Sequence, residues 1–209
     1  MILSICTVSN NTSVCISDGS SSTLSEVKSE NPNHCEELIP IVEDLLMKED
    51  KSLADIHQVR VNVGPGNLTS IRIGLTVANL YGQFLGAEVV GVSSFHCISS
   101  FCKKSKKNII VAFNIRNNNY AFAIFNGKDQ TMIDYNLLIS REEFDQINKN
   151  EFKLLTDSSA DSYLIESNFQ IVEINAEMIS KLDFSDIQHL LQKEIPLKPI
   201  NDYSYVVNK

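Results

Sequence analysis

The sequence predicts an α/β fold built from a repeated unit, and three observations carry that expectation. Both halves of the chain open with three antiparallel strands followed by a helix. The alternating run Val59, Val61 and Val63 enters the turn Gly64-Pro65-Gly66 and passes directly into helical spacing. Leu38, Ile39, Val42, Leu45 and Leu46 fall at offsets 0, 1, 4, 7 and 8, the pattern of an apolar stripe on one helix. A chain of 209 residues suits one domain of two lobes or two small domains. The expected division is residues 1–102 for the first lobe and 108–209 for a more divergent second one.

Each element has its own signal. Leu3, Ile5 and Thr7 alternate with Ile2, Ser4 and Cys6, a first strand that ends at the turn Asn10-Asn11. Residues 13–17 form a second strand, closed by Asp18-Gly19, and the polar run 20–28 reads as an edge strand. Pro32 and Asn33 open a helix running to about Glu49. A strand over 56–63, a helix over 68–85 and a strand over 88–92 follow, and Ser93 caps a short helix ending near Cys102. In the second half, strands over 109–114 and 120–125 flank a polar turn at Arg116 to Asn119. The hairpin turn at 126–129 leads to a strand over 131–139. Helices are expected near 142–147 and 186–193, and short strands near 152–155 and 170–174.

Composition excludes several function classes. The net charge is −8, whereas a chain gripping nucleic acid by itself should present a basic face. Lys103, Lys104, Lys106 and Lys107 form the basic cluster, between two apolar segments where a solvated linker explains it. No apolar run approaches the ~20 residues of a membrane span. The start lacks a basic n-region, which argues against a signal peptide. Five cysteines without a Cys-x-x-Cys pair fit reduced thiols, so the expected location is the cytoplasm. His34, His57, His96 and His189 form no paired metal motif, and neither a nucleophile elbow nor a close carboxylate pair is present. No catalytic and no metal-ligating residue is expected.

Two features remain to carry function. A helix start after Gly-Pro-Gly offers free amides to an anion, although no lysine of the Walker type follows. Asn67 or Thr69 can cap that helix. Further along it, Gly74, Ala78 and Gly82 recur every four residues and line a narrow strip. Glycine weakens a helix, so such a strip signals close approach by another element. That element is either the chain's own lobe or another subunit.

The run Gly64-Pro-Gly-Asn-Leu-Thr-Ser-Ile-Arg-Ile-Gly-Leu, followed by Val89-Val-Gly-Val-Ser-Ser-Phe, resembles the signature of the TsaB (YeaZ) family. That family shows Gly-Pro-Gly-Ser-Phe-Thr-Gly-Leu-Arg-Ile-Gly and, a helix later, Gly-Val-Ser-Ser-Leu. His34-Cys-Glu-Glu-Leu-Ile-Pro40 is similar to its His-x-x-x-Leu-Leu-Pro helix start, and the opening Ile-Cys-Thr resembles Ile-Asp-Thr. The likeness covers about residues 1–125 and is thin beyond.

The resemblance implies two ribonuclease H-like lobes, similar to the actin, hexokinase and heat-shock ATPase superfamily. It implies a non-catalytic subunit of the complex that makes tRNA threonylcarbamoyladenosine. The expected partners are a TsaD-like catalytic subunit and a TsaE-like ATPase, with tRNA reached only through the complex and a homodimer open to the isolated chain. The two N-terminal helices would dock TsaD, which nominates His34, Leu38, Val42, Leu45, Arg72, Gly74, Ala78 and Gly82 as interface residues. Thr7, Gly64, Gly66, Asn67 and Thr69 are the nucleotide-binding candidates. Cys6 stands where the family has Asp, and Asn67, Leu68 and Ser70 replace Ser, Phe and Gly. These departures count against a magnesium-linked carboxylate and a tightly bound cofactor, leaving ATP to the partner interface. The rival expectations are an ATP-dependent kinase and a glycoprotease-like hydrolase of the same superfamily.

Overall fold

A computed structural model of the chain describes residues 1–8, 10–19, 21–29, 32–102, 104–116, 118–182 and 196–200. The first sheet is built from Ile2–Cys6 (β1), Asn11–Ser17 (β2), Ser22–Lys28 (β3), Gln58–Gly64 (β4) and Glu88–Ser93 (β5). The second contains Ile109–Arg116 (β6), Asn119–Phe125 (β7), Met132–Ser140 (β8), Lys153–Thr156 (β9) and Gln170–Ile171 (β10). Strand order is β3-β2-β1-β4-β5 in one and β10-β9-β6-β7-β8 in the other. Read from its own third strand, the second order becomes β8-β7-β6-β9-β10, so the two sheets share one topology. In each, three antiparallel strands are extended by two parallel ones. This mixed pattern is the ribonuclease H-like lobe, present twice. The helix expected over 186–193, and His189 with it, lies outside the described residues.

Parallel pairing in the first sheet requires crossover helices, supplied by His34–Lys48 (α1) and Leu68–Leu85 (α2). Leu38, Ile41, Val42, Leu45 and Leu46 of α1 are buried, as are Ile71, Leu75 and Ala78 of α2. Ile39, expected in the buried stripe, instead faces outward, because the stripe turns through Ile41 as the helix winds over β2 and β3. Ser93 accepts a hydrogen bond from the His96 amide at 3.3 Å and caps the short helix Ser94–Ser99 (α3).

The helices of the second half are short: Arg141–Asp145 (α4), Ser162–Glu166 (α5) and Ala176–Ser180 (α6). The last two carry too few turns for their periodicity to stand out, which is why the sequence gives no sign of them. α6 does not cover the second sheet. It packs on β1, β2, β3 and β4 of the first, fastened by the Ala176 amide to Ser13 Oγ at 2.9 Å and by Arg60 Nη1 to the Ser180 carbonyl at 2.9 Å. Residues 197–200 return there too. Asn79 of α2 brackets Leu197 through bonds of 2.8 and 3.2 Å, and the Ile200 amide donates to Val63 O at 2.7 Å.

Candidate functional site

The Gly-Pro-Gly turn closes β4 onto α2, and its polar groups are turned inward. Asn62, buried before the turn, accepts from the Gly64 amide at 2.8 Å and from Ser94 Oγ at 2.9 Å. This asparagine ties the turn to the start of α3, a connection that nothing in the local pattern announces. Gly64 and Gly66 have φ of +97° and +156°, in the region that favours glycine. A Cβ on Gly66 would stand 3.4 Å from Val8 Cβ, so that side of the turn rests on the chain after β1. Asn67 caps α2 by accepting from the Ser70 amide at 3.2 Å. Thr7 Oγ1 donates to the Ser70 carbonyl at 2.7 Å and is buried.

Of the five nucleotide-binding candidates, the structure brings Thr7, Gly64, Gly66 and Asn67 together at the junction of β1, β4 and α2. Thr69 lies on the exposed first turn of the same helix. The cap and Thr7 are already engaged within the chain, and Gly64 and Pro65 are buried. What remains open to an anion is the exposed first turn.

Beneath the turn, Cys6 occupies the place of the family aspartate. Its thiol is fully buried and faces the Ile174 carbonyl at 3.8 Å. Burial pushes its pKa up to about 12, so it carries a proton rather than serving as a thiolate ligand. Asp157, just past β9, also sits in the interior. Burial raises its pKa, against two hydrogen bonds from Ser159 to Oδ1 at 2.6 and 3.1 Å, while Oδ2 has no partner among the described residues. A protonated thiol and a carboxyl that resists ionisation do not suit magnesium, which wants anionic oxygens. Among the described residues no group of three or more His, Cys, Asp and Glu could hold a metal ion.

On the two N-terminal helices, seven of the eight expected interface residues face inward instead. Leu38, Val42, Leu45, Gly74, Ala78 and Gly82 are all buried within the chain's own fold. The small-residue strip exists to let α2 lie close on its sheet. A Cβ on Gly74 would meet Thr7 Oγ1 at 2.7 Å and the Ile5 and Val61 side chains at 3.5 Å. His34 is buried as well, its Nδ1 2.7 Å from Thr12 Oγ1, which in turn donates to Glu37. Burial lowers the His34 pKa, with Glu37 pulling the other way, so the ring is a neutral piece of the α1 anchor. Arg72 alone of the nominated interface residues is exposed.

What faces outward on α2 is a second stripe. Ile73, Val77, Leu80 and Phe84 fall at offsets 0, 4, 7 and 11, which places them on one line of a helix. Ile73 and Val77 are half-buried, while Leu80 and Phe84 are 44% and 76% exposed. On α1, Ile39 and Met47 are 38% and 74% exposed. The outer faces adjoin: Tyr81 of α2 has its pKa raised by burial and then by the charge of Glu43 of α1. The offsets were legible in the sequence but overshadowed by the glycines beside them.

A family model for TsaD, tRNA N6-adenosine threonylcarbamoyltransferase, matches residues 26–194. The chain belongs to this family, in its TsaB/YeaZ branch. The Escherichia coli tRNA threonylcarbamoyladenosine biosynthesis protein TsaB is 32% identical over 87 residues, which is 40% of this chain and 37% of that protein. The chain thus matches well under half the length of its curated relatives. Among solved structures, an uncharacterized Pseudomonas aeruginosa protein with similarity to peptidase YeaZ superposes with a TM-score of 0.75 at 15% identity, covering 95% of this chain and 97% of that one. YeaZ from Pseudomonas aeruginosa gives 0.69 at 16% identity, covering 86% and 88%. These structures share the fold of two lobes, as the resemblance implied. No described helix is long and apolar enough to cross a membrane.

Proposed function

We propose that this chain is a non-catalytic subunit of the machinery that makes tRNA threonylcarbamoyladenosine, and that it docks and activates a TsaD-like catalytic subunit. The observation that carries the reading is the outward stripe of α2, Ile73, Val77, Leu80 and Phe84, continued on α1 by Ile39 and Met47. An apolar stripe left exposed along a helix marks a surface meant to be covered. The buried protonated thiol at Cys6 supports a helper better than a metal-dependent catalyst, and it weighs equally against the kinase and the hydrolase. In this reading the chain holds no cofactor tightly by itself, ATP is met at the partner interface, and a TsaE-like ATPase joins the assembled pair. The isolated chain would use the same face for a homodimer, and the site of action is the cytoplasm.

Phe84→Glu tests the reading. Phe84 is mostly exposed, so the variant should melt with the native chain, yet it should no longer co-purify with the host's TsaD-like protein, and reconstituted tRNA modification should fall with it. Undiminished capture would place the docking surface elsewhere. Turnover of ATP by the isolated chain, abolished by Thr7→Ala, would replace the helper with an enzyme.

A further inference from the structure

The lysine cluster that the sequence presents as a linker is one part of a larger basic face, assembled by three segments that meet at one end of the second sheet. Turn 126–129 lies directly on the loop before β6. A Cβ on Gly127 would fall 2.1 Å from the Lys107 carbonyl oxygen and 2.6 Å from that of Ser105, so only glycine permits the approach. The Gly127 amide donates to Asn108 Oδ1 at 3.2 Å, and Gln130 Nε2 reaches the Cys102 carbonyl at 3.4 Å. From the third segment, the Lys153 amide donates to the Asn108 carbonyl at 2.8 Å, and Lys107 Nζ reaches the Asn150 carbonyl at 3.0 Å.

On these adjoining segments Lys104, Lys106, Lys107 and Lys128 are exposed and Lys153 is half-exposed. Among the described residues none of the five forms an ion pair. The carboxylates of these segments are Asp129 and Glu151. Asp129 is held by the Thr131 amide and hydroxyl at 3.0 and 2.7 Å, and Glu151 accepts from Asn148 at 3.5 Å. Phe101, 56% exposed, adjoins the loop. In a chain of net charge −8, a lysine surface assembled from three segments, with an aromatic ring at its border, complements a polyanion with stackable bases. The helices α1 and α2 pack on the first sheet, so this face stays open when they are covered.

We propose that this lysine face binds the phosphodiester backbone of tRNA, making the chain a direct RNA contact within its complex. The choice of tRNA rests on the function proposed above. The overall acidity keeps the isolated chain a weak binder, and the face adds its contacts once a partner supplies the rest of the grip.

Two measurements test it. In the first, unmodified tRNA transcript is titrated at low salt into the isolated, isotope-labelled chain. Amide signals of residues 104–108, 126–128 and 151–153 should shift while those of α1 and α2 stay. Shifts confined to other surfaces, or none at all, would overturn the proposal whatever the partner does. In the second, Lys104, Lys106, Lys107 and Lys128 are all changed to Gln, and tRNA affinity of the assembled complex is followed against salt. Four lost phosphate contacts at about 0.7–0.9 each should lower the log–log salt slope by about 3 and weaken binding roughly tenfold or more near 0.1 M salt. An unchanged slope and affinity in a complex that still assembles would also overturn it. Failure of the native chain to assemble, with the amide shifts present, would sink the subunit reading and leave the RNA contact standing.

Discussion

The two sheets have one strand order and are closed in different ways. The first is covered by helices of 15 and 18 residues whose inner faces are aliphatic, and by α6 on its opposite side. The second is closed by two five-residue helices and a cluster of rings: Tyr120, Phe122, Phe144, Tyr163 and Phe169, with centroids 5.2–6.4 Å apart. Arg141 lies 4.2 Å from the Tyr163 ring and Lys149 4.5 Å from Phe144, so their cations cap the cluster. Tyr120 and Tyr163 point their hydroxyls at Asp161 and Asp145, the first at 2.7 Å, and burial raises both phenol pKa values. Each large ring buries about 150–250 Å², and five of them in mutual contact let short helices suffice. Long helices bring something the rings cannot, a second face left exposed to solvent.

The strongest way to break this comparison is a charge on the inner face of α2. Ala78→Arg places a guanidinium in the first core, where an unpaired ion costs several kcal/mol. The expected result is loss of the cooperative thermal transition seen by circular dichroism, whereas Phe84→Glu on the outer face keeps it. An Ala78→Arg chain that folds normally would mean the strip is not packed as described.

The second sheet should depend on its rings instead. Phe144 is fully buried and contacts Tyr120, Phe122, Tyr163 and Phe169. Phe144→Ala should cost about 3–5 kcal/mol in urea unfolding, without weakening capture of the TsaD-like protein by molecules that remain folded. A loss of only about 0.5 kcal/mol, the scale of a surface substitution, would show that the cluster does not hold the second lobe.

The same contrast governs what the sequence could tell. Long elements with strong periodicity were legible: α2 spans 68–85 as expected, and the expected opening of three antiparallel strands is present in both sheets. The strip Gly74, Ala78 and Gly82 was visible, but its direction was not, because spacing along a helix does not say which side meets the sheet. A contact such as Gly74 against Thr7 decides that, and it joins residues far apart in the chain. Asn62, Asp157 and the company that Lys128 and Lys153 keep with Lys107 were invisible for the same reason. The short helices α5 and α6 fell below the length at which a period can be recognised.

The smallest effect concerns Asp157, which packs at the end of β9 where the second half meets Cys6 of the first. Burial raises its pKa above the ordinary 3.8. The native state therefore holds its proton at pH values where the unfolded chain has released it. Stability must then fall as pH rises from about 4 toward the raised value, since the unfolded state binds fewer protons across that window. Cys6, displaced to about 12, stays protonated throughout and adds no slope. Asp157→Asn keeps an acceptor for Ser159 and removes the titration. Urea unfolding at steps upward from about pH 4 should show the native chain losing stability relative to the variant, with the gap closing again in acid. Parallel curves for the two proteins would mean that the carboxyl is solvated, and that the contact between the two halves is looser than the burial of Asp157 implies.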